Sequence, residues 1–212
     1  MLVAVAFVPS APLLLPALGG GPADLRSACA QAVSALDGAD EVVVVGHAEP
    51  TGWRSGTVDA TPWGAPGPPS TDPLPLPLAV GSSLLGARPH RLLAVDGGAV
   101  ATTGRTGLLV VGDGSARRTE KAPGHLDLRA EPFDEAVVAA VRDADPDALD
   151  ALDPDLAQQL LVGGLPAWRT AAATARLQGA DAWAGELLYA GAPFGVGYLV
   201  ATWLPRPGML SP

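Results

Sequence analysis

Four consecutive valines, Val42 to Val45, fill the centre of the segment from Glu41 to Gly46. An unbroken β-branched run of this kind suits a strand buried on both faces rather than one with a wet side. Ahead of it, Leu25, Ala28, Cys29, Ala32, Val33 and Leu36 recur at helical spacing, with Pro22 near the start and Gly38 just past the end. Earlier still, Leu2 to Val8 is a second apolar run, closed by Pro9. Strand, helix, strand makes a βαβ unit, which predicts a mostly parallel sheet covered on both faces, with a right-handed crossover.

The pattern continues along the chain. From Ala48 to Pro77, Gly, Pro, Ser and Thr crowd together. That composition predicts irregular structure, and a loop of such length in a compact domain serves as a functional cover or a mobile segment. Leu78 to Leu85 reads as a short helix, and Arg91 to Val95 and Gly107 to Val111 as strands. The region from Glu131 to Leu177 reads as helical, with Pro132 and Pro154 at helix starts, Asp153 as an N-cap and Gly163-Gly164 as a stop. Phe133, Val137, Ala140 and Val141 share one face. Trp183 to Tyr189 and Val196 to Trp203 are strand-like. With no internal repeat and no linker, residues 1–212 read as one α/β domain.

Composition narrows the function classes. The 212 residues are 48% hydrophobic and 17% charged, the balance of a folded domain. Net charge is −9 and no basic run exists, so nucleic acid and anionic membrane are set aside as partners. Cys29 is the single cysteine, which rules out an internal disulfide and predicts a buried thiol. The apolar start, Leu2 to Leu18, lacks a basic leader, and Pro9, Pro12 and Pro16 interrupt it. No stretch approaches the roughly 20 apolar residues of a membrane span. The expectation is a soluble cytoplasmic protein. The absence of Ile and Asn, with Lys121 the single lysine, points to a GC-rich genome of the actinobacterial kind.

Ligand sites in α/β sheets gather beyond the carboxyl ends of strands. Three such loops carry polar residues here: Ser10 after the first strand, His47 after the valine run, and Asp113 and Ser115 after Val111. His47, His90 and His125 lie far apart, with no His-x-x-x-His or Cys-x-x-Cys spacing. There is no P-loop and no Gly-x-Ser-x-Gly elbow, and Gly19-Gly20-Gly21 follows a proline-rich loop rather than a strand, as a flexible lead-in to a helix.

Four segments carry a family likeness. Gly112-Asp113-Gly114-Ser115-Ala116-Arg117 is similar to a Gly-Asp-x-Ser-His-Arg loop, and Pro9-Ser10-Ala11-Pro12-Leu13-Leu14-Leu15-Pro16 to a Pro-His-x-Pro-Leu-x-x-Pro segment. Val45-Gly46-His47-Ala48 is similar to a Ser-Pro-His-Gly segment, and Tyr189 to Tyr198 to a Tyr-Glu-x-Pro-Phe-Gly-x-Gly-Tyr hairpin. On these segments the chain resembles the LigB superfamily, the class III extradiol ring-cleavage dioxygenases, and in particular the LigB-type subunit of those enzymes. The likeness continues through Ala122 to Arg129 and Phe133-Asp134-Glu135, with His125 positional. It implies a three-layer α/β/α sandwich and a non-haem iron site of two histidines and a carboxylate.

The same likeness marks losses. Ser10 stands at the first ligand histidine, Ala116 at the acid/base histidine and Gly191 at the acidic position, while His47, Asp113, Ser115 and Arg117 are retained. The resemblance therefore implies a vestigial cleft lined by Ser10, His47, Asp113, Ser115, Ala116, Arg117 and Gly191, with His47 exposed to it as a residual metal ligand. No cofactor is expected, and the partner is a small molecule or a protein, a second copy included. One alternative is an active metal-dependent oxidoreductase holding Fe(II) or another divalent metal at a displaced site, with His47 beside Asp113 or Glu49. Another is metal-free hydrolysis or isomerisation on Ser10 and His47.

Overall fold

Side chains along the central strands alternate between two cores. Val5, Phe7, Val43, Val45, Leu108 and Val110 belong to one buried cluster; Ala4, Ala6, Val8, Val42, Val44, Leu109 and Val111 belong to the other. A period of two with both sides apolar is what a sheet covered on both faces requires. The structure is a computed structural model and describes residues 1–19 and 21–208, so that Gly20 of the Gly19-Gly20-Gly21 lead-in lies outside the described residues.

The strands are β1 (Leu2–Val8), β2 (Glu41–His47), β3 (Gly52–Arg54), β4 (His90–Val95), β5 (Thr106–Val111), β6 (Trp183–Gly191) and β7 (Tyr198–Pro205). They form one seven-stranded mixed sheet in the order β3-β4-β2-β5-β1-β7-β6. The middle four, β4, β2, β5 and β1, run parallel. The edges are antiparallel: β3 on β4, β7 on β1 and β6 on β7. The βαβ expectation holds with one difference. β1 and β2 are not neighbours, because β5 lies between them and pairs with both.

The helices are α1 (Ala23–Ser34), α2 (Leu76–Leu85), α3 (Ala130–Arg142), α4 (Pro146–Ala151), α5 (Pro154–Gln159) and α6 (Leu165–Arg176). Buried side chains of α3 to α6 join the first cluster and those of α1 and α2 the second. Asp153 caps α5 as expected, accepting from the Asp155 and Leu156 amides at 2.9 and 3.2 Å. The glycine pair behaves otherwise: α5 ends at Gln159, and Gly164 opens α6 as its N-cap instead of stopping the preceding helix. Cys29 is buried, and that burial pushes its thiol up to about 12, so it stays protonated at neutral pH. No helix among the described residues is long and apolar enough to cross a membrane.

The Pro- and Gly-rich stretch from Ala48 to Pro77 is more ordered than its composition predicts. It contributes the edge strand β3, and the Asp59 carboxylate ties its turn together, accepting from the Thr61 amide and hydroxyl and the Ser70 amide. The Leu74 amide then donates to the Thr57 carbonyl, closing the loop at its base.

Trp203 joins three elements of the first core. It is fully buried on β7, meets Phe7 of β1 edge-on at 4.9 Å, and donates from Nε1 to the Val141 carbonyl of α3. Trp203→Phe removes both the volume and the donor, so unfolding in urea is expected to show a loss of about 2 kcal/mol with an unchanged denaturant slope.

Candidate functional site

The parallel strands end level with one another. Val8 and Gly46 both register with Val111, and His47 registers with Val95. Ser10, His47, Asp96 and Asp113 therefore leave the sheet along one rim, where adjacent strands stand about 4.8 Å apart.

From that rim the segment Gly112 to Arg118 runs onto the β6–β7 hairpin and is pinned there by backbone pairs. The Gly114 amide donates to the Gly197 carbonyl (2.7 Å), the Gly197 amide to the Ser115 carbonyl (2.8 Å) and the Arg118 amide to the Gly195 carbonyl (3.0 Å). Ser115 is fully buried; its hydroxyl donates to the Leu160 carbonyl (2.8 Å) and accepts from the Arg117 amide (3.1 Å). Its own amide donates to Asp134 Oδ1 (2.8 Å), while Asp134 Oδ2 accepts from Arg118 (3.0 Å). Burial raises the Asp134 pKa despite these two donors. The close packing needs glycine: a Cβ on Gly197 would stand 2.1 Å from Asp134 Oδ2, and one on Gly114 2.7 Å from Oδ1. Ala116 adds a methyl and a carbonyl that accepts from the Gly124 amide (2.9 Å). Arg117 has a buried Nε with no acceptor among the described residues.

On the same loop, Asp113 turns toward the end of β1. The Ser10 amide donates to Asp113 Oδ1 at 2.7 Å, so Ser10 enters the arrangement through its backbone. Part of Asp113 reaches solvent, but its carboxyl is enclosed. Burial pushes its pKa up to about 7, against the lowering effect of the Ser10 hydrogen bond. Tyr198 nearby has its phenol pushed up to about 12, by burial first and then by the Asp113 carboxylate.

His47 stands elsewhere. It is exposed, and its Nδ1 lies 3.1 Å from the Val95 carbonyl. A carbonyl only accepts, so Nδ1 carries the proton and the neutral ring keeps its lone pair on Nε2. His47 lines a cavity of about 340 Å³ with Asp96, Gln158, Leu165, Pro166 and Arg169. Gly191 lines a different cavity, of about 320 Å³, with Gly114, Arg118, Asp134 and Trp168.

Helix α6 divides the two. Leu165, Pro166 and Arg169 face the first cavity and Trp168 the second. The helix is set hard against the rim, since the Gly164 amide donates to the Asp113 carbonyl (2.8 Å) and a Cβ on Gly112 would stand 2.4 Å from Gly164 Cα. The expectation of one cleft is thus corrected. Half-buried Ser10 and Asp113 share a hydrogen bond at the rim, Ser115 is buried on the same loop with other partners, His47 lies on one side of α6, and Gly191 lies on the other.

The candidate chemistries change accordingly. Ser10 and His47 share no hydrogen bond, so the pair does not make an activated serine nucleophile here. Glu49 is exposed and does not line the His47 cavity. Among the described residues, no group of three or more His, Cys, Asp or Glu side chains gathers in a metal-holding arrangement. Asp96 and Asp134 were not singled out from the sequence as site residues. Asp96 could have been found by the strand-end rule that found His47. Asp134 could have been found as a carboxylate beside Phe133 on an apolar helix face. Trp168 carried no local signal.

Asp113 makes stability depend on pH. Its native pKa lies above the unfolded value of 3.8, so between about pH 4 and pH 7 the native state holds more protons than the unfolded chain. Stability from this group is then fully present below pH 4 and is lost as pH rises through 7. Asp113→Asn keeps an acceptor for the Ser10 amide without the charge. Melting curves from pH 4 to pH 8 are expected to show the variant gaining on the parent as pH rises, by a few kcal/mol at most. An unchanged difference across that range would contradict the buried-carboxylate assignment.

Compared with known proteins, the chain matches no family model and no curated protein. The functional reading therefore rests on the rim and its two cavities.

Proposed function

We propose that this chain is a LigB-like domain, a three-layer α/β/α sandwich related to the LigB-type subunit of the class III extradiol dioxygenases. On this reading it acts in the cytoplasm as a non-catalytic binding domain for a small molecule or a protein partner, its own copy included. The observation that carries the reading is how the polar groups of the Gly112 to Arg118 loop are spent. Asp113 accepts from Ser10, Ser115 is saturated by Leu160, Arg117 and Asp134, and Ala116 offers a methyl where a proton donor would stand. Groups locked into architecture are poor agents of proton transfer, which contributes roughly 10²–10⁴-fold where a positioned acid or base exists. Beside this sealed loop lies a cavity with Val137, Val138, Trp168 and Leu199 in its wall.

The iron that the resemblance implies does not fit the residues at its expected positions. Two histidines and a carboxylate on one face are needed. Ser10 contributes an amide to Asp113, Gly191 has no side chain, and His47 lies across α6 from Gly191. A second reading, an active metal-dependent oxidoreductase with Fe(II) or another divalent metal at a displaced site, draws on one observation. The Nε2 lone pair of His47 belongs to a ring that shares its cavity with Asp96.

Elemental analysis of protein purified without chelator separates the two. The binding reading expects iron, manganese and zinc well below one per chain, and no oxygen uptake with catechols after ferrous iron is added. Near-stoichiometric metal that disappears in His47→Ala, together with catechol-dependent oxygen uptake, would establish the displaced site instead.

A further inference from the structure

A hydroxyl inside a helix commonly returns its hydrogen bond to the carbonyl four residues back, as Ser34 does to Ala30 at 3.0 Å and Thr174 to Thr170 at 2.7 Å. Ser82, in the last turn of α2, instead has its Oγ 2.9 Å from Nε2 of His90, the residue that opens β4. The turn between them brings this about. Gly86 ends α2 at φ 57°, a value that suits glycine, and the chain folds back so that the strand starts beside the helix end. The other ring nitrogen, Nδ1, lies 2.7 Å from the Arg88 carbonyl. A carbonyl only accepts, so Nδ1 carries the proton, Nε2 of the neutral ring accepts, and the Ser82 hydroxyl donates. A hydroxyl, an imidazole and a fixed oxygen behind the imidazole are the parts that activate a serine as nucleophile; here that oxygen belongs to the backbone.

Both side chains belong to half-buried residues that line one cavity of about 400 Å³, with Trp53, Arg54 and Arg91 also in its wall. The chain carries a net charge of −9, yet this lining holds two arginines and no Asp or Glu. Arg91 is held in place, its guanidinium stacked 3.5 Å from the centre of the Trp53 ring and paired with Glu41 at 3.1 Å. Arg54 spends one terminal nitrogen on the Pro50 carbonyl. Positive charge in the wall favours the oxyanion that forms when a serine attacks a carbonyl, and it favours an anionic group on the substrate as well. The place is far from the rim. His90 opens β4 and Val95, beside His47, closes it, which sets the two roughly 17 Å apart along the strand.

We propose that Ser82 and His90 form a hydrolytic site for small carboxylic esters that carry a negative charge. Ser82 Oγ bonds to the ester carbonyl carbon while His90 Nε2 takes the hydroxyl proton. The bond from that carbon to the alcohol oxygen then breaks, and the alcohol leaves with the proton from His90. Water next attacks the acyl group on Ser82, giving one proton to His90, which returns it to Ser82 as the acid departs. The site rests neither on the family resemblance nor on the binding reading, which is made for the rim and its two cavities.

A fluorophosphonate, which reacts with activated serines and spares ordinary ones, tests the nucleophile directly. Mass mapping of the treated full-length protein is expected to place an adduct on Ser82. Ser82→Ala, a change that suits a helix, should abolish the adduct and leave the melting temperature little changed. His90→Gln keeps a polar side chain without a base and should slow labelling at least about 100-fold. If that variant does not fold, the parent and Ser82→Ala decide alone. Hydrolysis of 4-acetoxybenzoate and of its neutral methyl ester tests the charge. The acid is expected to be favoured in kcat/KM by about tenfold, an advantage that shrinks in Arg91→Gln. No adduct at Ser82 under conditions that fully label a serine protease, or equal labelling in His90→Gln, would overturn the nucleophile and leave the pair as a brace for the turn. An adduct with neither ester cleaved faster than by Ser82→Ala would overturn the hydrolysis. Cleavage of both esters at equal rates would keep the nucleophile and overturn the anionic substrate class. Metal content, which tests the rim, bears on none of these outcomes.

Discussion

A buried carboxylate holds the rim of this protein together. Asp134 projects from α3 into the turn made by Gly114 and Ser115, takes the Ser115 amide on one oxygen and Arg118 on the other, and leaves no room for side chains on Gly114 or Gly197. Desolvation opposes the charge, and the two donors offset part of that cost. The balance explains why the hairpin, the loop and the helix stay in fixed register. Losing the carboxylate would strand the buried Ser115 amide and take from Arg118 one of its two carboxylate partners, leaving Glu131.

Because the loop is held there, α6 can begin where it does. A Cβ on Gly112 would stand 2.4 Å from Gly164 Cα and one on Gly164 would run into the Trp168 ring, so both positions need glycine for different reasons, and the Gly164 amide closes on the Asp113 carbonyl. From that start the helix runs back along the sheet with Leu165, Pro166 and Arg169 on one side and Trp168 on the other. One helix therefore turns a common rim into two chambers of different character. The first has a histidine, an aspartate and an arginine at its wall; the second sets Val137, Val138 and Leu199 beside Arg118, Asp134, Glu135 and Arg142.

The sequence made the strands and the rim legible for a simple reason. Buried parallel strands announce themselves as apolar runs, so β1, β2 and β5 stood out, and polar residues directly after them marked the rim. What stayed hidden depends on tertiary contact. β3 is three residues of Gly, Trp and Arg with no period to read, and it exists because β4 offers a free edge. Gly164 looks the same whether it ends one helix or starts the next; only its docking on Gly112 decides. The side of α6 on which each rim residue falls is likewise fixed by that docking, which is why one cleft was expected and two cavities were found.

His47 shows how far its own chamber can go. The Val95 carbonyl holds a proton on Nδ1, so in the neutral ring Nε2 is left as an acceptor, with Asp96 on the neighbouring strand end as a second one. Arg169 borders the same space, but its terminal nitrogen is engaged by the Asp150 and Leu152 carbonyls at the end of α4. Two acceptors can receive hydrogen bonds from a hydroxyl or an amine, whereas a catalytic metal normally takes about three protein ligands. That shortfall, together with the rim's polar groups being spent on one another, is why we prefer the binding reading to the displaced-metal one.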